Sequence, residues 1–159
     1  MANLTVVTVG SLKEGYLREA VAEYKKRLSQ YARVDEIEIK EERINNEDNR
    51  AEIEVALTRE ADKILAAMPK DSYKIALCVE GKQHTSEELA RIIGEGCDKG
   101  GKISLVIGSS YGLSENVKRE CDVRLSFSKL TFPHQLMKVI LFESLYRSFT
   151  ILHGKRYHK

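Results

Sequence analysis

The sequence predicts an α/β fold: a mainly parallel sheet flanked by helices. Three observations lead there. Strand-like apolar runs alternate with helical periodicities along the whole chain, the pattern of βαβ units. Several runs are almost continuously apolar, as in strands covered on both faces. And 159 residues suit one domain, taken here as 1–159, large enough to hold a core without disulfides or metal.

Leu4–Val9 is apolar and β-branched, stops at Gly10, and reads as a buried strand. Ser11–Glu14 has the spacing of a capping box. Tyr16, Leu17, Ala20, Val21, Tyr24 and Leu28 then recur at helical spacing, so the first helix should run to about Ser29, with Gly15 inside it. Val34–Ile39 alternates apolar and charged residues, a strand with one wet face. The charged, Asn-rich stretch Glu41–Arg50 is the best candidate for a mobile loop. A second helix spans Ala51–Met68, with Ile53, Leu57, Ile64, Leu65 and Met68 on one face, and Pro69 stops it. Tyr73–Val79 reads as a strand buried on both faces, and Thr85–Glu88 is a second capping box that opens a helix bearing Leu89, Ile92 and Ile93. Lys102–Ile107 is again a buried strand. Glycines and serines follow at Gly108–Gly112, then a short helix from Ser114, a short strand Val123–Phe127, and a last helix that begins near Pro133 and continues to about Leu152.

Composition narrows the function classes. Lys plus Arg is 26 and Asp plus Glu 24, a net charge of +2, so a nucleic-acid partner would have to be met by a local patch rather than a whole-protein field. No apolar run is long enough to span a bilayer, and the N-terminus lacks the basic region of a signal peptide, so a cytoplasmic protein without a membrane partner is expected. Cys78, Cys97 and Cys121 match neither a zinc pattern nor CxxC and read as free thiols in a reducing compartment. His84, His134, His153 and His158 are scattered, without an HExxH or a carboxylate cluster, so no metal is expected. The segment Gly10–Gly15 lacks the lysine and hydroxyl of a P-loop and the GxGxxG of a dinucleotide turn, which counts against ATP, GTP and NAD.

Three segments carry possible chemistry. In Val106–Leu113, Gly108 and Gly112 after a buried strand let a ligand approach the backbone, although glycines after strands are most often plain turns. The join Leu125–Gln135 is crowded with hydroxyls and aromatics and runs into a helix N-terminus; Phe127 and Phe132 offer walls for a flat base, and the bland alternative is a helix cap with a buried phenylalanine. The tail His153–Lys159 combines cations, imidazoles and Tyr157. It reads either as a frayed end or as phosphate contacts beside a stacking ring.

Taken together, Val106-Ile-Gly108…Gly112-Leu113, Ser126–Gln135 and the terminal Tyr157-His158 resemble the RlmH family, bacterial 23S ribosomal RNA (pseudouridine-N3)-methyltransferases of the SPOUT superfamily. The likeness runs from the opening strand with Gly10 and Leu12-Lys13 to the last residue. It implies a SPOUT-type fold with a C-terminal trefoil knot, S-adenosyl-L-methionine as cofactor, a homodimer, and 23S rRNA within the ribosome as partner. Carried over by position, the cofactor contacts would be Leu77, Gly108, and Phe127, Ser128, Lys129, Leu130, Thr131 and Phe132. Two departures stand out: Ser109 where the family often has a second glycine, and Arg156 where it often has proline.

The residues themselves suit that chemistry. Methyl transfer from a sulfonium needs alignment and exclusion of water rather than a metal. A uracil-like imide nitrogen must also lose its proton, and His134 and His158 are the candidate acceptors, unranked by sequence, with helix capping the competing role for His134. Tyr157 joins them as a positioning ring, and Lys155, Arg156 and Lys159 as RNA contacts. The alternatives are a SPOUT methyltransferase acting on another RNA such as tRNA, and a ribosome-binding protein that has lost catalysis.

Overall fold

Each apolar run becomes a strand because its alternate residues meet helices on opposite faces of one sheet. The computed structural model describes residues 1–159. Five strands, β1 (Ala2–Val9), β2 (Ala32–Ile39), β3 (Tyr73–Gln83), β4 (Lys102–Ile107) and β5 (Val123–Ser126), lie in the order β2-β1-β4-β3-β5, every pair parallel. Between and after them run α1 (Gly15–Leu28), α2 (Arg50–Ala67), α3 (Ser86–Asp98), α4 (Glu115–Arg119) and α5 (His134–Leu152).

On one face Leu4 and Val6, Ile75 and Leu77, and Ile103, Leu105 and Ile107 pack with Val21 and Leu28 of α1, Leu89 and Ile93 of α3, and Leu141, Phe142, Leu145 and Phe149 of α5. On the other, Val7, Val9, Ala76 and Val106 meet Ala61 and Ile64 of α2 and Val117 of α4. α5 is the central element of the first layer. Phe142 and Phe149 are fully buried, and truncating a buried phenylalanine to alanine costs about 3–5 kcal/mol.

The Thr85–Glu88 capping box forms in full: Glu88 N–H donates to Thr85 Oγ1 at 3.1 Å, and Thr85 N–H to Glu88 Oε2 at 2.8 Å. The box expected at Ser11–Glu14 does not. α1 starts at Gly15, and its N-cap Glu14 makes no side-chain cap bond. Tertiary contacts take over instead. Arg18 Nη1 donates to the Leu12 and Lys13 carbonyls at 3.0 and 2.7 Å, and Lys13 N–H donates to Gln135 Oε1 of α5 at 3.2 Å.

The stretch expected to be mobile is tied down by the next helix. The buried carboxylate of Glu60 accepts Glu42 N–H at 2.9 Å, Glu52 accepts the N–H groups of Asn45 and Asn46, and Asn49 caps α2 through Glu52 N–H. Burial holds the Glu60 carboxyl above the usual carboxylate range.

β3 runs four residues past its expected end at Val79. Leu77 and Lys82 both stand opposite Leu125, so Cys78–Gly81 form a bulge before pairing resumes at Gln83–Ser126. Gly81 is required there, since a Cβ would fall 2.8 Å from the backbone of Arg124 and Leu125. β5, in turn, ends at Ser126 rather than Phe127.

Candidate active site

Ligands of open parallel sheets bind beyond the carboxyl ends of the strands. Here the ends of β3, β4 and β5 open onto a cleft of about 690 Å³, within the range of small-molecule sites. Leu77 closes β3. Gly108–Leu113 follow β4, turned by the Gly112 N–H bond to the Ser109 carbonyl at 2.9 Å and by Gly112 at φ +88°. The join after β5 supplies Phe127, Ser128, Leu130, Thr131 and Phe132, and α5 adds His134 and Met137. The join is shaped by its own hydroxyls: Ser126 Oγ donates to the Ser128 carbonyl at 3.0 Å, and Leu130 N–H to Ser128 Oγ at 3.0 Å.

Of the residues singled out for a cofactor, Leu77, Gly108, Phe127, Ser128, Leu130, Thr131 and Phe132 converge on this cleft. Lys129 does not line it, and its side chain is exposed. His134 is the first residue of α5 and lines the cleft, but Pro133 is the N-cap and no side chain caps the helix, so of the two roles read in the sequence the capping one is not filled. Cys78 lines it as well, and burial raises its thiol above the ordinary value, which disfavours a thiolate.

Tyr157 and His158 lie elsewhere, and none of residues 153–159 lines the cleft. α5 ends in a Schellman turn: Gly154 at φ +61° lets Lys155 N–H reach the Thr150 carbonyl at 2.8 Å and Gly154 N–H the Ile151 carbonyl at 3.1 Å. The chain thus folds back on its own helix. Tyr157 Oη donates to Glu143 Oε1 at 3.1 Å, its ring meets Tyr146 edge-on at 4.8 Å, and the Arg147 guanidinium lies 4.7 Å over it. Burial, with hydrogen bonds to Tyr24 and Glu143, pushes the phenol up to about 12. Arg147 Nη1 donates to His158 Nδ1 at 3.1 Å, so the other ring nitrogen carries the proton and donates to Glu87 Oε1 at 2.7 Å. Both imidazole nitrogens are therefore engaged. In this pose the tail is neither frayed nor closed over its own chain's cleft. The cause is the Glu143–Arg147 pair of α5 and Glu87 of α3, which together match the tail's polar groups. Lys155, Arg156 and Lys159 stay exposed beside it.

The family model described as "Predicted SPOUT methyltransferase" matches residues 2–158. The chain belongs to that family. Proteins named ribosomal RNA large subunit methyltransferase H are 48% identical to this SPOUT chain in Shouchella clausii, 46% in an Exiguobacterium species and 44% in Bacillus pumilus, each over 158 residues and 99% of both chains. Among solved structures, a methyltransferase from Legionella pneumophila in complex with SAM aligns over 91% of this chain and 65% of that one, with 12% identity and a TM-score of 0.49, too low a likeness to bear on the site.

Sequence reasoning missed several members of the SPOUT cleft. Tyr111, Met137, Glu80 and Lys118 line it, and Glu80 is ion-paired to Lys118. Tyr111 sits inside the Val106–Leu113 segment singled out in the sequence, and Met137 lies two residues beyond the Leu125–Gln135 join. Glu80 lies in the bulge beyond the expected end of β3 and Lys118 on the short helix α4, 38 residues away, so no local pattern joins them.

Proposed function

We propose that this protein transfers a methyl group from S-adenosylmethionine to N3 of a pseudouridine in 23S ribosomal RNA within the ribosome. The observation that carries the reading is full-length identity of 44–48% to proteins named ribosomal RNA large subunit methyltransferase H. The cleft supports it. Leu77, Ile107, Leu113, Phe127 and Phe132 supply apolar walls for a base, and Ser109, Ser126 and Ser128 bring hydroxyls for a ribose. S-adenosylmethionine, when bound, supplies an electrophilic methyl group. The protein's part is to hold the nucleotide in line with it and keep water out.

The imide proton needs an acceptor. Of the expected groups, His134 alone lines the cleft of its own chain and serves as the candidate base. Tyr157 and His158 act, on this reading, at the cleft of a partner subunit. A homodimer is supported by α5, where Leu136 is 40% exposed and Ile140, one turn on, is only half-buried, apolar surface beyond the core-facing stripe. Lys155, Arg156 and Lys159 then meet phosphates and Lys129 lies within the join, in one domain spanning 1–159 that on this reading carries the C-terminal trefoil knot of its superfamily. No helix is long and apolar enough to cross a membrane, which suits a cytoplasmic ribosome-acting enzyme.

The test is transfer of labelled methyl from S-adenosylmethionine to ribosomes and, separately, to bulk tRNA, with light scattering for the dimer. Label in large-subunit RNA alone and a mass twice 18.1 kDa are expected. Label in tRNA, or a strict monomer, contradicts the reading.

A further inference from the structure

The cleft is lined by 22 residues, and apart from His134 only two of them are ionic side chains, Glu80 and Lys118. They are paired to each other. The bulge Cys78–Gly81 of β3 carries Glu80 out of the strand to the mouth, where its side chain is 56% exposed. Lys118 comes from α4 with its side chain only 14% exposed, so its stem is packed away and its ammonium is delivered to the cleft. The nearby Arg124 is already neutralised by Glu115 at 2.7 Å. The mouth therefore holds one available cation and one available anion, side by side, in a site whose other walls are apolar or hydroxylic.

We propose that the Glu80–Lys118 pair is a reader of the zwitterionic amino-acid end of the ligand, with Lys118 taking the carboxylate and Glu80 the ammonium. Glu80, the exposed partner, is screened by solvent and free to swing, so opening the pair to admit a second, opposite pair of charges costs little. The four charges then close into a ring in which each group keeps an opposite neighbour, whereas a ligand without that end gains nothing at the mouth. The inference rests on the cofactor reading above.

Calorimetry with two ligands separates the two ideas. S-adenosylhomocysteine carries the amino acid; 5′-methylthioadenosine has the same base, ribose and thioether without it. Wild-type protein should bind the first more tightly. Lys118→Met should weaken S-adenosylhomocysteine about tenfold and Glu80→Gln about fivefold, with methylthioadenosine unchanged within twofold and Lys118→Arg close to wild type. Equal affinity of Lys118→Met and wild type for S-adenosylhomocysteine would overturn the proposal. So would equal loss of both ligands, which would make the lysine a support of the fold. Failure of wild-type protein to bind either ligand would instead defeat the cofactor reading itself.

Discussion

Replacing Gly108 by alanine places one methyl group where the chain has no room. The new Cβ would fall on the Gly112 carbonyl oxygen, with its carbonyl carbon at 2.6 Å and Leu113 Cδ2 at 2.9 Å. Two of these neighbours are backbone, so they cannot swing aside, and the turn closed by Gly112 N–H and the Ser109 carbonyl must open. Overpacking of this kind costs about 1–3 kcal/mol and the lost turn bond about 1 kcal/mol more. About 3 kcal/mol in total is expected, a fall in Tm of roughly 8 °C for a chain of this size. Because the displaced loop is a wall of the cleft, S-adenosylhomocysteine affinity should drop about 100-fold, equivalent to roughly 2.7 kcal/mol. Gly112→Ala is the control in the same turn: its Cβ meets nothing within 4 Å, and only φ +88° penalises it, by about 1 kcal/mol. Calorimetry and thermal unfolding of both variants test the argument. Wild-type affinity and Tm in Gly108→Ala, or a larger loss in Gly112→Ala, would refute the steric reasoning.

Truncation after Gly154 should leave S-adenosylhomocysteine binding within twofold, because no residue of the cleft lies beyond Met137, yet abolish methyl transfer. The lost Tyr157 contacts are worth about 2 kcal/mol, a Tm fall of roughly 5 °C, and a full rate would reduce the tail to a structural strap. Burial raises the Glu60 carboxyl above its unfolded value, so the stability it favours is complete below the unfolded pKa and is lost as pH rises through the folded one. Glu60→Gln, which keeps an acceptor for Glu42 N–H, should therefore gain Tm over wild type at pH 8 and lose that advantage at pH 4; an advantage confined to acid would reverse the sign. Lys138 is buried on α5 with Nζ 2.9 Å from Glu36 Oε1, and Lys138→Ala should cost about 3 kcal/mol in urea unfolding, the low end for a broken buried pair because Lys25 still holds Glu36 at 2.8 Å. A cost below about 1 kcal/mol would show the pair to be idle.

The alternation of strand and helix was legible because each strand is apolar on the residues that face both layers, as in Ile75–Leu77 and Ile103–Ile107. The extension of β3 was not. Glu80–Gln83 are polar, and only pairing with β5 keeps them extended. Thr85–Glu88 could be read from four residues because nothing distant competes with it, whereas at Ser11–Glu14 the identical spacing lost to Arg18 and Gln135. At the site, the turn at Gly108–Leu113 and the join at Phe127–Phe132 showed themselves through glycines and hydroxyls that a core does not need. The Glu80–Lys118 pair stayed hidden because it exists only once β3 and α4 are side by side. The tail's docking depends on Glu87, Glu143 and Arg147, ordinary helix-surface charges until Gly154 turns Tyr157 and His158 back onto them.

The most direct test of the central claim is methylation of two ribosome preparations, one with pseudouridine at the target position of 23S RNA and one with uridine there, followed by mass spectrometry of the digested nucleosides. The account predicts N3-methylpseudouridine in the first and no methylated uridine in the second. Equal methylation of both, or methyl groups at another nucleoside, would contradict it.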